Sequence, residues 1–113
     1  YANMVLAPEK WIHDHPGVVQ AFVDASIEGW KDYLYGDPSP ANALIMRDNP
    51  EMTDALITQS IAKMKSYGIV PEQGIGAMSD AKWKLFFDTM SSEGLYPKSL
   101  DYKKAYTLKF LKH

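Results

Sequence analysis

Apolar residues recur at three- and four-residue steps through the longest periodic stretch of the chain: Val19, Phe22, Val23, Ile27, Trp30, Tyr33 and Leu34. A helix gathers such positions into one stripe, and Gln20, Asp24, Glu28, Lys31 and Asp32 fall mostly on the other side. Pro16 suits the first helical turn, where its missing N–H costs nothing, and Gly36 suits a left-handed position that ends a helix. Phe22 and Trp30 carry the largest apolar surfaces, and burying either contributes roughly 1.5–3 kcal/mol. The spacing therefore predicts a central helix against which the others pack.

The flanking segments repeat the pattern at shorter length. Tyr1–Ala7 is a short, mostly apolar run stopped by Pro8, and it reads as a β-strand. No second convincing strand is visible, and one strand cannot satisfy its own backbone, so its sheet partners are expected outside this chain. Pro8 to Asp14 reads as a short helix with Trp11 and Ile12 turned inward. Asp37-Pro38 starts another, with Ala41, Leu44 and Ile45 on its buried side and Asn49-Pro50 as its stop. Thr53 and Asp54 open a helix whose inner face is Leu56, Ile57, Ile61 and Met64, closed by Gly68. After a loop broken by Pro71, Gly74 and Gly76, Ser79-Asp80 caps a helix carrying Trp83, Phe86, Phe87 and Met90. Asp101 then caps a final short helix bearing Tyr102, Tyr106, Phe110 and Leu111. The fold class is mainly α: about six helices and one N-terminal strand.

At 113 residues the chain holds one domain. Residues 1–113 are read as a single segment, with a strand over 1–7 and helices over 8–113. A net charge of −2 gives no broad basic field, so whole-chain attraction to nucleic acid is not expected. Cysteine is absent, which removes disulfides, thiolate metal sites and cysteine nucleophiles. No run approaches the roughly 20 apolar residues of a membrane span, and no signal-peptide pattern is present. The chain opens on what reads as the inside of a strand, so a mature or excised part of a longer protein is expected.

Four groups of residues invite a chemical reading, and each has a plainer one. His13 and His15 are two apart, whereas two ligands on one helix face need a spacing near four, so His15 is read as a helix junction. Asp24, Glu28 and Asp32 share a face, yet it is the face away from the apolar stripe, and a solvated acidic surface is the better account. Gly74-Ile-Gly76 lacks the third glycine and the Gly-Lys-Ser/Thr ending of phosphate loops, and reads as a turn passing close to a helix. Lys98, Lys103, Lys104, Lys109 and Lys112 interleave with Tyr102, Tyr106 and Phe110, a combination that can grip single strands. Here the aromatic residues lie at helical spacing and are read as docking the last helix, with the lysines over its outer side. No metal site, cofactor or catalytic arrangement is read from the residues.

Taken end to end, the chain resembles the C-terminal portion of the substrate-binding proteins of ABC importers. The branch it is most similar to handles nitrate, sulfonates, taurine and thiamine-precursor pyrimidines. The resemblance rests on Val5-Leu-Ala-Pro-Glu-Lys-Trp-Ile12, His15-Pro-Gly-Val-Val-Gln-Ala-Phe-Val-Asp-Ala-Ser-Ile-Glu-Gly-Trp30, Asp37-Pro38 and Asn49-Pro-Glu-Met52. It continues through Ile75-Gly-Ala-Met-Ser-Asp-Ala-Lys-Trp83, Gly94-Leu95 and Leu108-Lys-Phe-Leu111. No single piece is specific; their order over nearly the full length is what carries the likeness.

The resemblance implies a two-lobed α/β fold of the type II periplasmic-binding-protein kind, of which this chain would be about a third. It implies an exported, periplasmic protein, not an enzyme, that closes around a small solute and delivers it to a membrane permease. Tyr1 and Asn3, at the strand entry near the hinge, are the positions nominated for the solute: Asn3 as donor and acceptor, Tyr1 as a stacking face. Two alternatives stand beside this. One is an enzyme similar to the fungal thiamine-pyrimidine synthases, which share the fold but use iron and a cysteine-rich segment. The other is a helical interaction module that self-associates through uncovered apolar surface.

Overall fold

Each helix begins where the sequence offers its first backbone N–H groups an acceptor or a proline. In the computed structural model, which describes residues 1 and 3–112, α1 spans Glu9–Asp14, α2 Pro16–Tyr35, α3 Ser39–Asp48, α4 Asp54–Ser66 and α5 Asp80–Ser92. A 3-10 turn over Tyr102–Ala105 follows. The Thr53 hydroxyl accepts from the Leu56 N–H and the Ser79 hydroxyl from the Lys82 N–H, each a side-chain N-cap. Gly68 and Gly94 close α4 and α5 with positive φ of 61° and 74°, conformations that a side chain would strain.

The chain is mainly α, as its periodicity predicts, and no β-strand forms among the described residues. Residues 3–7 are irregular and largely exposed, and Ala2 lies outside the described residues. The strand expected over Tyr1–Ala7 is therefore corrected: an extended run with no neighbour to bond has no ladder to join. The last helix is also shorter than expected. It ends at Ala105, and Tyr106 is already extended, because a helix this short gains too few hydrogen bonds to propagate.

The chain divides into two compact units, Tyr1–Gly76 and Ala77–His113. In the first, Val19 and Leu34 of α2, Ile57 of α4 and Ile75 of the following loop are buried, Leu34 to 1% exposure. Asn42 is also buried, at 7%, and its side-chain carbonyl accepts from the Tyr33 hydroxyl at 2.8 Å, which joins α2 to α3. Leu44, expected inside, is exposed instead, as is Leu56 of α4. The Tyr35 hydroxyl donates to the Val70 carbonyl at 2.7 Å and fastens the end of α2 to the segment after α4.

Two further expectations fail on α2. Phe22 is 61% exposed and Trp30 42%, so the apolar stripe is wider than the elements that cover it. Gly36 does not enter the left-handed region; its φ is −100°. Its need for glycine is steric instead, since a Cβ there would lie 2.6 Å from the Asp32 carbonyl oxygen.

Candidate functional site

In the second unit, α5 and the segment after it are joined ring on ring. Trp83 and Tyr106 stack with centroids 4.7 Å apart and planes 4° from parallel. Phe87, one turn along α5, stacks on Tyr102 at 4.8 Å and 19°. The four-residue step on each segment brings both pairs into register. Phe110 is buried, and Phe86 meets Tyr96 edge-on at 6.4 Å. The tyrosines thus dock the tail as their spacing predicts, although a 3-10 turn and extended backbone present them in place of a continuous helix.

Beside these stacks lies an open hollow of about 590 Å³, lined by Asp80, Ala81, Lys84, Tyr102, Lys103, Tyr106, Thr107 and Leu108. The Tyr106 hydroxyl donates to the Asp80 carboxylate. Lys84 donates to Asp88 one turn further along α5. That hydrogen bond, and then the opposite charge of Asp88, hold the Lys84 ammonium above the ordinary lysine value. Lys103 takes part in none of the ion pairs among the described residues. Ala77–His113 carries seven lysines and four carboxylates, whereas Tyr1–Gly76 carries five cationic side chains and ten carboxylates. The charge asymmetry was invisible in the whole-chain total.

The first unit has a second hollow, of about 450 Å³, between α2 and α3, lined by Ser26, Gly29, Trp30, Tyr33, Ala41 and Ile45. Its lining is largely apolar, and the part-exposed Trp30 forms one wall.

The remaining candidates follow their plainer readings. His15 caps the end of α1, and its carbonyl accepts from the N–H groups of Val18 and Val19 as α2 begins. Its ring lies 4.9 Å from that of Trp11. His13 is 3.4 Å from the carboxylate of its neighbour Asp14. Glu28 and Asp32 are exposed, and half-buried Asp24 accepts from the Gln20 amide at 2.9 Å. Gly74 and Gly76 have φ of 79° and 77° on either side of buried Ile75, and Gly76 passes beside Ile27 of α2. Tyr1 and Asn3 are exposed in the irregular opening segment and line neither hollow. Among the described residues no group of three histidine, cysteine, aspartate or glutamate side chains is placed to hold a metal ion, and no helix is long and apolar enough to cross a membrane.

Comparison with protein-family models, with curated proteins and with solved structures finds no match to this chain.

Proposed function

We propose that this chain is the C-terminal portion of a solute-binding protein that serves an ABC importer. In this reading the complete protein is periplasmic, captures a small polar or anionic solute in a cleft between two lobes, and hands it to a permease. The solute is a sulfonate, nitrate, taurine or a thiamine-precursor pyrimidine. No catalysis is involved. The ordered motifs from Val5 to Leu111 are the basis of the reading.

The structural observation that supports it is apolar surface with nothing laid over it. Leu6 is 89% exposed, Met4, Val5, Phe22 and Trp30 are exposed as well, and the opening segment has no sheet to join. Large apolar side chains left open in this number fit a surface that something else covers, and the remainder of the first lobe is what the resemblance supplies. Asn3 and Tyr1 are the residues through which this segment would reach the solute. Replacing Asn3 with Ala in the complete protein tests their part: weaker solute binding agrees with it, and unchanged affinity removes the assignment.

The same surface supports a second reading, in which these residues form a helical module that associates with copies of itself. Light scattering on the complete protein separates the two. A monomer agrees with solute capture, because the rest of the lobe covers the apolar faces, and a stable oligomer favours the module.

A further inference from the structure

We infer that the hollow beside α5 is a binding site for the phosphate group of a small phosphate monoester, seated between Lys84 and Lys103. The inference does not depend on the solute-capture reading.

Four residues with donor side chains line the hollow, and they come from two segments. Lys84 comes from α5, and Tyr102, Lys103 and Thr107 come from the tail. The aromatic stacks fix this geometry. Tyr102 is held on Phe87, which sets the position of the 3-10 turn that presents Lys103. Lys84 is steadied by Asp88, so its ammonium is already restrained before any ligand arrives. Two ammonium groups supply the positive charge a phosphate needs, and the hydroxyls of Tyr102 and Thr107 are further donors for its oxygens.

The acidic groups around the site narrow the choice. Asp80 lines the hollow one helical turn before Lys84, and its carboxylate is engaged by the Tyr106 hydroxyl. An anion is therefore driven away from Asp80 and toward Lys103, which has no ion pair among the described residues. Asp88 offsets part of the Lys84 charge and weakens the pull on any anion, and because that pull scales with ligand charge a dianion is held more strongly than a monoanion. Ala81 and Leu108 add apolar lining that suits the organic part of the ester. Its size is in the range of small-molecule sites.

The test is a nuclear magnetic resonance titration of the nitrogen-15-labelled chain with inorganic phosphate, at ionic strength held constant with sodium chloride, and with sodium nitrate in a parallel series. The expected result is saturable shifts at the amides of Lys84, Tyr102, Lys103 and Thr107 with phosphate and weaker ones with nitrate. Lys103→Gln and Lys84→Gln each raise the phosphate Kd about fivefold, the loss of one close charge at a solvated site. Lys98→Gln, outside the hollow, leaves it unchanged. Shifts that never saturate, equal responses to nitrate, or a Lys103→Gln chain that binds as before would overturn the site. So would a single-stranded oligodeoxynucleotide whose shifts spread to Lys98 and Lys109, because the surface would then be a nucleic-acid groove.

Discussion

Tyr106 lies flat on Trp83, 4.7 Å between ring centroids, while its hydroxyl donates to Asp80 at the start of the same helix. One tail residue therefore grips α5 twice, through a ring one turn in and through the carboxylate of the first turn. The two contacts differ in kind and can be separated by substitution. Tyr106→Phe keeps the stack and loses the hydrogen bond, and should cost about 0.5–1.5 kcal/mol of stability. Tyr106→Ala loses both and should cost about 2–3 kcal/mol, since the ring is only half buried. Urea unfolding followed by tryptophan fluorescence measures both.

Two glycines of α2 should respond in opposite directions. Gly29 is inside the helix with open space where a Cβ would stand, so Gly29→Ala should stabilise by about 0.5–1 kcal/mol. At Gly36 the added carbon would meet the Asp32 carbonyl oxygen at 2.6 Å, and backbone must move to admit it. Gly36→Ala should destabilise by about 1–3 kcal/mol. Thermal unfolding followed by circular dichroism distinguishes the two signs.

Asp37 lies two residues before α3, its carboxylate accepting from the Ser39 side chain and from the Ser39 N–H, and these bonds hold its pKa below the ordinary 3.8. A carboxyl group with a depressed folded-state pKa contributes stability above its unfolded value, and that contribution is lost as pH falls through the folded one. The Asp37 contribution should therefore be complete above about pH 3.8 and decline below it. Titration of the Asp37 carboxyl carbon by nuclear magnetic resonance should give a midpoint under 3.8, and Ser39→Ala should move that midpoint upward.

Self-association is the expected behaviour of this chain when nothing else covers it. Leu6, Phe22 and Trp30 leave apolar surface in water, and the hollow between α2 and α3 adds to it. The weight-average mass by light scattering should rise with concentration, and Phe22→Glu together with Leu6→Glu should suppress the rise. A chain that stays monomeric at high concentration would contradict the account of its surface.

Much of the architecture was legible because it is local. Thr53, Ser79, Pro16 and Gly68 mark helix ends through chemistry confined to a few neighbouring residues, and the structure uses each of them so. What periodicity does not reveal is which part of an apolar stripe finds a neighbour. Phe22 and Trp30 share the α2 stripe with Val19 and Leu34, yet only the latter pair is buried. Asn42 was missed for a related reason: its burial depends on the hydroxyl of Tyr33, nine residues away on another helix. The hollow beside α5 was half legible. The tail lysines and tyrosines were visible as a group, but Asp80 and Lys84 join them only once the rings have stacked.

Solute capture is the central proposal, and it is tested most directly by thermal shift of the complete protein against a panel of sulfonates, taurine, nitrate and thiamine-precursor pyrimidines. A ligand that binds only the folded state raises the midpoint in proportion to the logarithm of its concentration above Kd. The account predicts a saturable rise with at least one member of the panel, reduced by Asn3→Ala and unaffected by Lys103→Gln. A midpoint that none of these solutes moves would contradict it.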